Sequence, residues 1–435
     1  MQINEKILKT KDGISYIVPF ILITSCFALW GFANDITNPM VKSFSKIFRM
    51  SVTQGALVQV AFYGGYFCMA LPAALFIKRH SYKAGILTGL GLYALGALMF
   101  IPAASIGSYW PFLAAYFILT CGLSFLETSA NPYVLKMGEP DSATRRLNLA
   151  QSFNPIGSLC GMFVAMNYIQ AQLNPMSTAE RATLDDASFE ALKAADLSVV
   201  VQPYAMIGIV LIVVFTLIAM FVRVPGHARK ERTSLAFGAA VKRLLANKAY
   251  REGVVAQFFY VGAQITCWTF IIQYGTKVFM AEGMTEQAGE ILSQRLNILA
   301  MILFCSARFI STALMKRFRP ATMLATFASV AILLTMVVMF VGGRMGVYSL
   351  VGVSACMSLM FPTIYGIALK DVGQDTEIGS AGLIMAILGG SLLPPVQAMI
   401  IDYGLMGMSF IVPAICFVVV LIYGTRQRKA EKRNC

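Results

Sequence analysis

The chain has 435 residues, of which 57% are hydrophobic and only 13% charged, with a mean hydropathy of +0.69. Soluble domains carry about a quarter charged residues, so the composition excludes a soluble protein and reads as a polytopic membrane chain. The formal net charge of +14 does not point to nucleic acid: the bases lie in short loops between apolar runs, and no basic, aromatic-interleaved domain is present to hold a polynucleotide.

Strand-like alternation with turn signals is absent, which argues against a membrane barrel. A spanning helix needs about 20 mostly apolar residues. That rule predicts an all-α integral membrane fold of twelve transmembrane helices, near 15–37, 52–77, 84–103, 109–135, 146–170, 199–222, 251–275, 291–315, 321–341, 346–369, 378–401 and 405–425. With the N-terminus placed in the cytoplasm, most of the 35 lysines and arginines fall on the cytoplasmic side, so both termini are expected there. The first apolar stretch is too long for a signal peptide and no small-residue cleavage site follows it, so it reads as a span.

The first run closes on Trp30-Gly-Phe-Ala-Asn34-Asp35-Ile-Thr37-Asn38-Pro39. Asn34 and Asn38 are four apart, and Asp35 and Asn38 three apart, so they share a helical face. Either these residues cap a helix end, or the helix continues past Pro39 and their polar face lines a cavity. Phe44 and Phe48 downstream permit continuation. In the third run, Gly85, Gly89, Gly91 and Gly96 suit close packing through small residues, or a helix that bends.

From Ala84 to Leu126 no side chain is charged, and then Glu127 appears within Leu126-Glu-Thr-Ser-Ala-Asn131-Pro132. A carboxylate at mid-bilayer costs about 2.5–3.5 kcal/mol on insertion scales, so it is seldom there without a use. Lys136 is nine residues further on, and Glu127 cannot snorkel that far. Asn131 shares its face. Glu127 either faces a cavity or pairs with Arg308, the one base deep in a span.

The fifth run carries Asn148, Gln151 and Asn154 at spacing three, then Pro155. The seventh carries Gln257, Tyr260, Gln264 and Trp268 at spacings three, four and four. Each set is expected to form one polar stripe on one helix. Amides donate and accept without charge, and aromatic faces stack on sugar C–H surfaces. A single amide would read as interhelical glue. Two stripes plus isolated acids point to a hydroxyl-rich neutral solute. Arg308 raises the rival possibility of an anionic one.

Between the sixth and seventh runs lie Pro225-Gly226, His227-Ala-Arg-Lys-Glu-Arg232 and Lys242-Arg243. This reads as a cytoplasmic linker with an amphipathic helix on anionic lipid. It divides the chain into an N-terminal six-helix bundle, 1–225, a linker, 226–250, and a C-terminal six-helix bundle, 251–435. An internal echo supports duplication: Lys136-Met-Gly138-Glu-Pro-Asp141-Ser142 follows the fourth run and Lys370-Asp-Val-Gly373-Gln-Asp375-Thr376 the tenth. Such halves match secondary carriers that rock about a midplane site. The nine cysteines form no CxxC pair, and the two histidines, His80 and His227, lie in basic loops. No metal site is expected.

The chain resembles the fucose–galactose–glucose proton symporter group of the major facilitator superfamily, its fucose-carrying members above all. The resembling segments are Ser15-Tyr-Ile-Val-Pro-Phe20, Tyr82-Lys-Ala-Gly85, Leu126-Glu-Thr-Ser-Ala-Asn-Pro132, Arg146-Leu-Asn-Leu-Ala-Gln151, Ala256-Gln-Phe-Phe-Tyr-Val-Gly-Ala-Gln264 and Gly373-Gln-Asp-Thr376. They run through nearly the whole chain in the expected order. The resemblance implies the major facilitator fold, alternating access and proton-coupled sugar import. It implies that Glu127 recognises sugar and couples to protonation, and that Gln151, Asn154, Gln257, Tyr260 and Gln264 line the cavity. One departure stands out. The group's coupling aspartate on the first span falls at Asn38 here, and the acid is Asp35, one turn earlier.

The expectation is therefore a monomeric, multi-pass carrier in a bacterial inner membrane, with no cofactor beyond the coupling proton, importing a neutral monosaccharide such as L-fucose. Asp35 and Glu127 are the expected proton-coupling groups. Asn34, Asn38, Glu127, Asn131, Gln151, Asn154, Gln257, Tyr260, Gln264 and Trp268 are the expected sugar contacts. A sodium-driven or uniport carrier of glucose, galactose or mannose with the same fold is the alternative. An enzyme is disfavoured, because no nucleophile–base pair, metal cluster or GxxxxGK[ST] loop is present.

Overall fold

The computed structural model describes residues 16–37, 40–50, 57–174, 176, 178–222 and 237–433. Every regular element among them is helical. Eleven of the helices are long and apolar enough to cross a membrane. They correspond to the expected runs except the fifth.

That fifth run, expected as one span over 146–170, folds instead as Ala143–Gln151, then Asn154–Val164, then a wider-wound stretch Ala165–Gln170. The physical reason is Pro155. It offers no N–H to the Gln151 carbonyl four residues back, and its ring crowds that carbonyl. Asn148, Gln151 and Asn154 therefore do not form one stripe on one helix. The tenth run divides likewise at Ser358–Leu359, into Gly343–Met357 and Met360–Ala368, where Pro362 leaves Ser358 without its helical donor. The eleventh contains a tight turn, Ala386–Leu388, ahead of Gly389–Asp402.

The described residues fall into two compact units, one drawn from 16–137 and 153–222, the other from 138–152 and 237–433. In the first unit the Tyr109–Lys136 helix packs against both Leu57–Arg79 and Tyr82–Leu98. Small residues set these distances: a Cβ on Gly122 would lie 2.4 Å from the Tyr93 amide nitrogen. Gly85, Gly89 and Gly96 face the same helix at comparably close range, so close packing is their use. Helix Ile17–Thr37 lies against Asn154–Val164 in the same manner.

This unit holds a buried ion pair. Arg181 meets Asp196 at 2.6 Å, both sequestered from solvent, and also donates to the carbonyls of Met176 and Asn174. Asp196 accepts from the Asn174 amide at 2.9 Å. Removing one member of such a pair strands the other, at a cost of about 3–5 kcal/mol. Arg181→Ala is expected to lower the unfolding temperature of the purified protein by about 5 °C, and Arg181→Ala with Asp196→Ala to recover part of that loss. Scanning fluorimetry in detergent checks both.

In the second unit the Lys248–Ala281 helix is the hub, packed by Glu286–Leu314, Gly343–Met357, Met360–Ala368, Gly389–Asp402 and Ile411–Arg433. Phe270, Ile271, Tyr274 and Phe410 form part of its apolar core. The first part of the expected linker, 226–236, with the basic run that ends at Arg232, lies outside the described residues. Its last part is helix Phe237–Ala246, held by Leu244 and by an Arg243–Asp375 fork at 2.7 and 2.9 Å. The two echoed loops fold alike: a short tight helix, Pro140–Ser142 or Gly373–Asp375, leads directly into an α-helix.

Candidate functional site

The candidate residues divide between the two units. In the first, Glu127 is 1% exposed, within a stretch of Tyr109–Lys136 that is buried on every side from Leu119 to Val134. It does not face lipid. No cation pairs with it among the described residues, and its carboxylate oxygens have no hydrogen bond there beyond a marginal one to a phenol. Its hydrogen-bonding neighbour is the Tyr66 phenol of helix Leu57–Arg79, itself buried. Ser124, one turn before Glu127, donates to the Tyr66 carbonyl at 3.1 Å and fixes the two helices in register. Asn131, one turn after Glu127, is fully buried.

Asp35 sits in the last turn of Ile17–Thr37, buried, with Asn34 half-buried beside it. Tyr63 feels its charge. Tyr63 and Tyr66 are three apart, so helix Leu57–Arg79 presents one phenol toward each acid. Neither tyrosine stood out in the sequence, although their spacing of three in an uncharged run was a usable signal. Asn38 lies outside the described residues. The chain resumes as helix Met40–Ile47, and Phe44 packs among Phe48, Tyr109, Phe112 and Tyr116. Asn154 is half-buried and donates to the Phe27 carbonyl at 3.2 Å, which ties it to the helix that carries Asn34 and Asp35.

In the second unit Gln257, Tyr260, Gln264 and Trp268 do share one helix. Gln257 is fully buried, and both ends of its amide lack a partner among the described residues. Tyr260 is buried, and its hydroxyl donates to the Met357 carbonyl at 3.0 Å. Trp268 donates to Ser354 Oγ at 3.2 Å and sets its ring edge-on to Phe304. Both aromatics thus have their polar atoms engaged. Gln264 is half-buried. Gln151, 3% exposed, ends the Ala143–Gln151 helix and belongs with this unit.

An acid met by a phenol but by no cation, and an amide with no partner among the described residues, each fully enclosed, are unusual. A buried polar group without a partner costs about 1–3 kcal/mol, and more if charged. Protonation removes the charge cost at a carboxyl, and a hydroxyl-bearing solute satisfies an amide. The arrangement therefore suits exchange of a proton at one group and of sugar hydroxyls at others. Among the described residues no three His, Cys, Asp or Glu side chains converge on a point that could hold a metal ion.

The Major Facilitator Superfamily pattern matches residues 23–392. The L-fucose-proton symporter of Haemophilus influenzae is 50% identical over 440 residues, spanning 99% of this chain and 100% of that protein. The L-fucose-proton symporter of Escherichia coli is 38% identical, spanning 94% and 93%. The crystal structure of FucP, a major facilitator transporter in the outward conformation, superposes with a TM-score of 0.85 at 36% identity, covering 94% of this chain and 98% of that one. These relatives are transporters, not enzymes. A profile match over most of the length, two relatives well above 30% identity across whole chains and a helical fold that superposes on a solved carrier make this chain a member of the major facilitator superfamily.

Proposed function

We propose that the protein is a proton-coupled carrier that imports L-fucose across a bacterial inner membrane by alternating access. The observation that carries this reading is the 50% identity to a fucose–proton symporter from end to end, joined to an enclosed Glu127 that no cation neutralises among the described residues. The eleven spanning helices and the broken 143–170 segment together supply twelve crossings, which puts both termini on one side. The basic bias of the loops makes that side the cytoplasm. The moving bodies are the halves 1–225 and 251–435, linked through 226–250, in a carrier that works as a monomer and needs no cofactor.

Asp35 or Glu127 takes a proton from the outer side. Sugar hydroxyls then bond the amides of Asn34, Asn38, Asn131, Gln151, Asn154, Gln257 and Gln264, and the C–H face of the ring stacks on Tyr260 and Trp268. Each ligand favours the same closed state, and that shared preference is what couples their fluxes. Proteoliposomes test it. L-fucose is expected to exchange in counterflow ahead of galactose, glucose and mannose, and to accumulate when the outside is made acid. A protonophore is expected to abolish accumulation. Uptake that follows a sodium gradient and ignores pH would replace the proton with sodium. Equilibration without accumulation would make the protein a uniporter.

A further inference from the structure

Two carbonyls of the second unit lose their helical donors to proline. Gln151 closes the Ala143–Gln151 helix, and Pro155, four residues on, has no N–H to return to it. Ser358 follows the last residue of Gly343–Met357, and Pro362, four residues on, has none either. At membrane depth there is no bulk water to substitute. Both carbonyls are nonetheless bonded, and by the same side chain. Arg308, 3% exposed on helix Glu286–Leu314, donates Nη1 to the Gln151 carbonyl at 3.0 Å and Nε to the Ser358 carbonyl. Its guanidinium lies over the Phe304 ring, 4.6 Å from the centroid. Tyr260 takes the adjoining carbonyl of Met357 at the same break.

We infer that Arg308 is a positioning residue that pins both helix breaks. Its two N–H groups replace the two that Pro155 and Pro362 lack. Its charge faces the C-terminal ends of two half-helices, where a cation is favoured. The planar, fixed fork of a guanidinium suits two acceptors on different elements. This accounts for a buried arginine without invoking an anionic substrate. It also fixes the backbone from which the Gln151 amide projects, and in that respect rests on Gln151 being a sugar contact.

Three changes test the pin in the full-length carrier. Arg308→Met keeps the length and removes both donors. Arg308→Lys keeps charge and N–H donors. Pro155→Ala with Pro362→Ala restores the missing backbone N–H groups. Hydrogen exchange is read at the amides of 152–154 and 358–361, and L-fucose counterflow is read as KM and maximal rate. Arg308→Met is expected to speed exchange at both breaks about tenfold and to raise KM about tenfold, whereas Arg308→Lys, which keeps the charge but loses the planar fork, falls between Arg308→Met and the parent. In the double-alanine background Arg308→Met is expected to return exchange to the parental level while counterflow stays low, because straightened helices no longer present Gln151. If Arg308→Met alone does not fold, a folded carrier in the double-alanine background supports the pin equally. Unchanged exchange at either break, or strictly additive losses in the combined variant, overturns it. A parent that exchanges no L-fucose would overturn the proposed transport function and leave the exchange measurements to decide on Arg308.

Discussion

Glu127→Gln is expected to exchange labelled L-fucose across a proteoliposome membrane yet fail to concentrate it, while Glu127→Ala is expected to do neither. The argument runs from the enclosure of the side chain. Glu127 is 1% exposed, and among the described residues only the Tyr66 phenol is in hydrogen-bonding reach, with no cation to balance a charge. A carboxylate so placed is stable only when neutralised by a proton or bonded by a ligand. Glutamine mimics the protonated form: the same length, an acceptor oxygen, a donor and no charge. It therefore preserves the loaded geometry and removes the dependence on protons. Alanine removes the bonding atoms as well. The loss of counterflow with alanine is put at about a hundredfold, or about 2.8 kcal/mol at 1.4 kcal/mol per tenfold, within the range for hydrogen bonds that involve a group able to carry charge. Glu127→Gln that still accumulates sugar against a gradient would remove Glu127 from proton coupling and leave Asp35 to carry it.

Most of this was open to a reader of the sequence, because a bilayer makes some features unmistakable. Long apolar runs, basic loops and one glutamate after 43 uncharged residues follow from what hydrocarbon tolerates. The stripe Gln257, Tyr260, Gln264, Trp268 was legible for the same reason, since an unbroken helix obeys its period. The stripe Asn148, Gln151, Asn154 was not, because the helix ends between its second and third members. Proline by itself does not announce that outcome. Pro72, Pro132 and Pro203 lie inside helices that run on. At Ser152 and Ser358 the helix stops, and the freed carbonyls find a donor 157 and 50 residues away in sequence. Such a donor is a fact of tertiary packing that no local pattern encodes. Tyr66 escaped notice for the opposite reason: an aromatic residue in an apolar run looks like core, and its place beside Glu127 depends on which helix neighbours which. The same holds for 138–152, which packs with the second unit although the chain on either side of it belongs to the first.

Gly157→Ala is expected to abolish transport and to destabilise the protein, although it adds a single methyl group in a helix where alanine is intrinsically preferred. Helices Ile17–Thr37 and Asn154–Val164 meet through backbone. A Cβ on Gly157 would fall 1.7 Å from the Ala28 carbonyl oxygen, and one on Gly31 would fall 2.0 Å from that of Asn154. Real contacts begin near 3.4 Å, and the obstructing atoms are backbone, which cannot rotate aside as a side chain does. The helices have to separate, and the 3.2 Å bond from Asn154 to the Phe27 carbonyl and the 3.4 Å bond from Ser158 to the Gly31 carbonyl lie on the same seam. Overpacking of a tight core costs about 1–3 kcal/mol before those bonds are counted. Because the seam carries Asn154 on one side and leads to Asn34 and Asp35 on the other, its widening displaces sugar contacts and acid together. Gly91→Ala is the matched control: its nearest neighbour is the Phe215 ring at 4.0 Å, and it is expected to keep full counterflow and a slightly higher unfolding temperature. Parental unfolding temperature and parental uptake in Gly157→Ala would mean that the two helices do not approach this closely, and that the first acid is not held by this seam.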